Sequence, residues 1–291
     1  MINWDENIVN DIARRRCVIF IGSGASKNST NAAGVRPEDW VELLNSFLTL
    51  PVFVPKQKVE IKSLLKSKDY LTACEVIKKI IGNEEFNRFM RRKFITPRFS
   101  SADIHEHVYN LDSRIVATPN FDKIYDTYAT TTSEGTITVK KYYDTDLVEF
   151  IRSHESFILK IHGCLDSPNE LIFTRKDYAK SRNEHRQFYK VLEALIITHT
   201  FIFIGCGVND PDIRLLLENN AFSHKYGRKH YMIIPNKSLS PNQLEILEDT
   251  LNLKFLCYDS ANYHSQLTDS LKNLVELVEN ARKTISEQLN W

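Results

Sequence analysis

The chain has few cysteines, and none stand in a metal-binding pair: Cys17, Cys74, Cys164, Cys206 and Cys257 include no Cys-x-x-Cys. Their scatter excludes a zinc ribbon or a disulfide framework and fits reduced thiols in a cytoplasm. Excess charge is also missing. With 38 basic against 37 acidic residues the formal charge is +1, which offers no field for holding nucleic acid or an anionic membrane over a broad surface. The short clusters Arg14-Arg15-Arg16 and Arg91-Arg92-Lys93 read as solvated helix ends. No run approaches the ~20 apolar residues of a membrane span. The first ten residues carry Asp5 and Glu6 where a secretion signal would have an apolar core. What remains is a cytoplasmic globular protein of 291 residues, 42% hydrophobic, long enough to bury a large core.

Cys17-Val18-Ile19-Phe20-Ile21 is an unbroken apolar run that ends in Gly22-Ser23-Gly24-Ala25-Ser26. Such a run bounded by glycine is the pattern of a central parallel strand buried on both faces. The glycines allow a sharp turn and close approach of backbone to a ligand, and a diphosphate is the natural occupant. The usual dinucleotide fingerprint is incomplete, however. Lys27 stands where a third glycine belongs, and no acidic residue closes a following strand about 20 residues on. An ordinary Rossmann dehydrogenase is therefore not expected.

Five further strands are predicted at 113–117, 157–161, 200–204, 230–234 and 254–258, most of them separated by helical patterns. The fold class is therefore α/β, a doubly wound parallel sheet. Helical periodicity over 57–110 predicts an insertion or cap, because several successive helices cannot all be crossovers. It would form one wall of a pocket or an oligomer surface. The Asn-, Ser- and Gly-rich segment 28–36 predicts a mobile loop able to close over a ligand, and 263–289 predicts a closing helix. The 1–291 span is read as a single domain.

In such a sheet the ligand sits beyond the carboxyl ends of the strands, so the residues following them should converge. These are Gly22, Ser23, Gly24, Ala25 and Ser26, then Thr118, Asn120 and Asp122, then His162, then Gly205, Cys206, Gly207, Asn209 and Asp210, and Asn236. His162, at a strand end before Gly163, suits proton transfer near neutral pH. Pro119 fixes the approach to Asn120. Asp122 and Asp210 both read first as helix N-caps, Asp210 with Pro211 in the first turn. The His105-Glu106-His107 cluster is not read as a metal site, since i and i+2 on a helix face different ways.

In this order the motifs resemble the sirtuin-like NAD-binding superfamily. Gly22-Ser23-Gly24-Ala25-Ser26 is similar to its Gly-Ala-Gly-Ala-Ser loop, Thr118-Pro119-Asn120-Phe121-Asp122 to its Thr-Gln-Asn-x-Asp motif, and His162-Gly163 to its catalytic His-Gly. Gly205-Cys206-Gly207 stands in place of its Gly-Thr-Ser loop, and Ile234-Pro235-Asn236 resembles its ribose contact. The four-cysteine zinc module of the deacylases is missing, Cys164 being alone in that interval. With Ile172-Phe173-Thr174-Arg175-Lys176-Asp177-Tyr178, the chain looks like the bacterial sirtuin-like effectors of anti-phage defence.

The resemblance implies NAD as substrate, no metal, and hydrolysis to nicotinamide and ADP-ribose. Asn120 would position the ribose and water and His162 would accept a proton. Gly22 to Ser26, Thr118, Asp122, Gly205, Cys206, Gly207, Asn209 and Asn236 would hold the dinucleotide. Two alternatives stay open: an NAD-dependent protein deacylase or ADP-ribosyltransferase, and a subunit that binds NAD or ADP-ribose without cleaving it. The length leaves no room for a separate sensor domain, so a trigger from another protein is expected. By resemblance to two-component defence systems, a HerA-type ATPase is the expected partner and a homo-oligomer the expected state.

Overall fold

The computed structural model describes residues 1–207, 210–224 and 227–288. Seven strands form one sheet in the order β3-β4-β2-β1-β5-β6-β7, and every pairing is parallel. They are β1 (Cys17–Ile21), β2 (Ile115–Thr118), β3 (Thr138–Lys141), β4 (Phe157–Lys160), β5 (Thr200–Ile204), β6 (His230–Pro235) and β7 (Leu253–Tyr258). Six of these lie where the apolar runs predict them. The seventh, β3, is a half-buried edge strand of sequence Thr-Val-Lys-Lys, which has no apolar run to announce it.

Alternate side chains of the central strands feed two separate cores, as the period-two geometry of a strand requires. Ile19, Ile21, Ile202 and Ile204 face one helical layer. That layer includes α1 (Glu6–Ala13), α6 (Asp103–Asn110) and α13 (Ala261–Glu287), and α13 packs on both of the others. Val18, Phe20, Phe201 and Phe203 face the opposite layer, with α10 (Arg186–Thr198) and α11 (Pro211–Ser223). Each fully buried Ile or Phe contributes roughly 1.5–3 kcal/mol relative to exposure, so β1, buried at all five positions, anchors both layers.

A third core lies outside the sheet. It is built by α3 (Trp40–Phe47), α4 (Pro55–Lys66) and α5 (Tyr70–Phe94). Asp39 starts α3 with a full capping box, its side chain accepting from Glu42 N–H while Glu42 returns to the Asp39 N–H. Helix α5 breaks at Gly82, whose φ of 73° is left-handed. This cap closes on Phe121, Leu165, Leu171 and Phe173, residues of the segments that follow β2 and β4. Trp40 lies edge-on to Phe173 with ring centroids 5.1 Å apart, and Lys78 Nζ pairs with Asp177 at 3.0 Å. Helix α6, within the same 57–110 stretch, belongs instead to the sheet layer, where Ile104 and Val108 join the first core.

Candidate functional site

The chain reverses direction across the sheet between β1 and β5. From β1 the order runs to β2 and β4 on one side and to β5, β6 and β7 on the other. A doubly wound sheet opens its ligand crevice at that switch point. The strands there end in step. Ile21 pairs with Ile204, Phe20 with Ala117, and Thr118 with Lys160. Continuing that register, Gly22 stands beside Gly205, and Asn120 and His162 each lie two residues past a paired position on neighbouring strands.

The loops after β1 and β5 touch through backbone. Gly22 N–H donates to Ile204 O and Gly24 N–H to Gly205 O, both at 2.9 Å. A Cβ on Gly22 would lie 2.5 Å from Gly205 O, and one on Gly205, whose φ is +64°, would lie 2.5 Å from Ala25 N. The glycines are thus required first by each other. Ser23–Ser26 form a single helical turn, α2. Cys206 turns its thiol toward Ile204 O at 3.4 Å and Phe20 O at 3.5 Å, and burial pushes that thiol well up from its ordinary pKa. Gly207 is exposed beside it, while Asn209 lies outside the described residues.

The segment after β2 is braced to β1 and α2 by side chains. Thr118 Oγ1 donates to Ile21 O at 2.7 Å and accepts from Asn120 N–H at 3.1 Å. Asn120 Nδ2 donates to Ser26 Oγ at 3.1 Å, and Ser26 Oγ donates to Asp122 Oδ2 at 2.9 Å. The other Asp122 oxygen accepts from Ile124 N–H at 3.0 Å, a turn contact just ahead of α7 (Ile124–Thr132), whose N-cap is Lys123 and not the Asp122 that the sequence suggests. With one Nδ2 hydrogen engaged, the carbonyl oxygen and the second Nδ2 hydrogen of the half-buried Asn120 amide are left to meet a ligand.

His162 is 5% exposed. Gly163 behind it has φ +82°, and a Cβ there would meet Glu170 O at 2.6 Å, so this glycine lets the returning chain pass. The ring packs edge-on against Tyr178, centroids 5.1 Å apart. Its Nε2 lies 3.2 Å from Asp210 Oδ2 without the alignment of a hydrogen bond. Tyr178 OH donates to the same Asp210 oxygen at 3.3 Å, while Asp210 Oδ1 accepts from Ile213 N–H at 3.1 Å and caps α11. Asp210 therefore does more than the helix cap its sequence suggests. Tyr178, on α9 (Arg175–Glu184), was legible only as part of a motif.

The remaining candidates lie further out. Asn236 is exposed just after β6, its N–H donating to Tyr258 O at 2.7 Å. Segment 28–36, expected from its composition to be a mobile loop able to close over a ligand, makes contacts at several points. Ser100 N–H donates to Thr30 O at 2.9 Å, Arg36 Nη1 donates to Lys27 O at 2.8 Å, and the Arg36 guanidinium sits 5.2 Å from the Tyr263 ring centre. His105 is buried and accepts the Ala102 N–H through Nδ1 at 3.0 Å, which is a capping contact. Among the described residues no group of three or more His, Cys, Asp or Glu could hold a metal ion, and no helix is long and apolar enough to cross a membrane. A cavity of about 650 Å³ opens at the opposite, amino edge of β2 and β4, between Tyr109, Tyr125 and Arg282. None of the candidate residues lines it.

Residues 114–256 match the SIR2-like domain family. The chain is 24% identical over 245 residues to the NAD(+) hydrolase ThsA of Bacillus cereus (strain MSX-D12), covering 82% of this chain and 47% of that protein. It is 22% identical over 271 residues to the NAD(+) hydrolase ThsA of Enterococcus faecium, covering 92% and 53%. It is also 22% identical over 205 residues to Defense-associated sirtuin 2 of Bacillus subtilis, covering 69% and 19%. The chain spans about half the length of these two hydrolases.

Proposed function

We propose that this sirtuin-like chain, with its SIR2-like domain over residues 114–256, hydrolyses NAD to nicotinamide and ADP-ribose as an NAD-depleting effector of anti-phage defence. The observation that carries the reading is that Asn120 and His162 each stand two residues past the Thr118–Lys160 pair that ends β2 and β4, beside the β1–β5 switch point. The hydrolase names of the relatives support it.

The chemistry follows from the groups present. Breaking the C1′–N bond sends its electron pair to the nicotinamide ring and leaves an oxocarbenium-like ribose. Such a transition state needs a held diphosphate, an oriented ribose and a water aimed at C1′. The packed loops of Gly22, Gly24 and Gly205 bring backbone to the diphosphate. Asn120, its Nδ2 fixed by Ser26, presents its carbonyl oxygen to a ribose hydroxyl or to the water. His162 takes the proton that the water or hydroxyl loses as the new C–O bond forms, and Asp210, 3.2 Å from Nε2, stabilises the imidazolium. The cap helices α3 to α5, seated on Phe121 and Phe173, wall the site. Asn236 and Gly207 complete the dinucleotide cradle.

The proposal extends to assembly. The active form is a cytoplasmic homo-oligomer switched on by a HerA-type ATPase, and the depletion aborts infection. The test is a chromatographic assay of purified chain with NAD, alone and with a co-encoded ATPase. Equimolar nicotinamide and ADP-ribose support the reading. Intact NAD in both mixtures contradicts it.

A further inference from the structure

The described structure buries one ammonium completely. Lys160, the last residue of β4, is 1% exposed and stands two residues before His162. Its Nζ donates to the main-chain oxygen of Asp122 at 2.7 Å and lies 3.0 Å from Asp126 Oδ2 on α7, with Asp126 itself 3% exposed. Burial opposes the charge on Lys160, but the Asp126 and Asp122 carboxylates outweigh it and hold the ammonium protonated.

A buried ion pair is a poor device for stability. Removing two charges from water is repaid only by good geometry, and apolar side chains of similar shape often stabilise as well. What the pair does supply is a fixed distance between the groups it joins. Here those groups belong to the two halves of the candidate site. The Lys160 backbone leads into His162, whereas its side chain ends on the carbonyl of Asp122. The Asp122 carboxylate in turn receives Ser26, which receives Asn120. One side chain thus spans from the strand of the imidazole to the loop of the amide.

We propose that Lys160, clamped by Asp126, is a positioning residue that sets the Asn120 loop against His162. The proposal rests on the hydrolase reading for its kinetic arm only. Lys160 touches no substrate and acts through Asp122.

The test is the double variant Lys160→Met/Asp126→Asn, which removes both members of the ion pair together and leaves the Asp122 carboxylate on its Ser26 and Ile124 hydrogen bonds. Two readouts are taken: steady-state NAD turnover, and amide hydrogen exchange over residues 118–124. The proposal expects a folded protein with kcat lower by about 100-fold, KM within about threefold of the parent, and exchange at 118–124 faster by at least about tenfold while β1 and β5 stay protected. Turnover within about threefold of the parent, or unchanged protection at 118–124, overturns it. If the parent itself leaves NAD intact, the hydrolase reading fails and the exchange arm alone decides: faster exchange confined to 118–124 supports the positioning role, and unchanged exchange overturns it. Should the double variant not fold, Asp126→Asn alone is read by the same criteria, at about tenfold loss of kcat.

Discussion

His162, at the end of β4, and Asp210, at the start of α11, meet with Nε2 3.2 Å from Oδ2. The carboxylate is doubly used, since its other oxygen caps α11 at 3.1 Å. Asn in its place keeps an oxygen for the cap and removes the charge beside the imidazole. Asp210→Asn should therefore stay within about 1 kcal/mol of parent stability while kcat for NAD falls roughly 10- to 100-fold. Urea titration and a nicotinamide-release assay check the two halves.

Ser26 bridges Asn120 and Asp122 with a single hydroxyl. Ser26→Ala leaves the buried Asp122 one hydrogen bond short and frees the Asn120 amide to rotate. The expected destabilisation is about 1–2 kcal/mol. Turnover should drop by about tenfold, more than that stability change accounts for in a protein that remains folded. Thermal melting and NAD turnover on the same preparation separate the effects.

Two left-handed glycines differ in what surrounds them. Gly205 has φ +64° and backbone atoms of Gly24 and Ala25 within 3.1 Å of a would-be Cβ, whereas Gly34 has φ +74° and nothing within 4 Å. Gly34→Ala carries only the conformational penalty, about 1 kcal/mol. Gly205→Ala adds overlap that only a shift of the β1 or β5 loop relieves, for a total of about 3 kcal/mol or more. Urea midpoints measure the contrast.

Acid should weaken the fold before its carboxylates titrate. Burial pulls the His230 imidazole down to about 4 from 6.5, and burial lowers His105 and His199 as well. As pH falls through 6.5 the unfolded chain takes up protons that the folded chain refuses, so stability declines from there toward about 4. For His230 alone the loss at pH 5.5 is about 1 kcal/mol relative to pH 7.5. His230→Asn, whose Oδ1 can accept the Phe201 N–H that His230 Nδ1 now accepts at 3.1 Å, should flatten this slope in urea titrations across the interval.

The sheet was legible because burial on both faces writes itself as apolar runs, on which β1, β2, β4, β5 and β6 lie, while the edge strand β7 shows a mixed run with Cys257 exposed. Strand β3 escaped because Thr138, Lys140 and Lys141 sit half-exposed at the edge, where a strand needs no apolar face of its own. Helical periodicity revealed the helices of 57–110 but not their partners. Nothing in the spacing of Ile104 and Val108 says that they face α13 and the sheet while Ile77 and Phe86 face the cap. The same limit applies at the site. Asp210-Pro211 is a helix start in sequence, and only the folded chain turns its second oxygen toward His162. Gly22 and Gly24 announce a tight turn in sequence, but not that this turn packs on Gly205 and Cys206. The composition of 28–36 also gives no sign of the Arg36 guanidinium lying over the Tyr263 ring.

In the proposed hydrolysis, the imidazole of residue 162 and the amide of residue 120 together carry NAD cleavage. The most direct measurement is nicotinamide release by the parent, by His162→Ala and by Asn120→Ala under activating conditions, with titration calorimetry of ADP-ribose on each. The expected result is release by the parent, a loss of at least about 100-fold in both variants, and ADP-ribose affinity retained in His162→Ala. Parent-like release from either folded variant would contradict it.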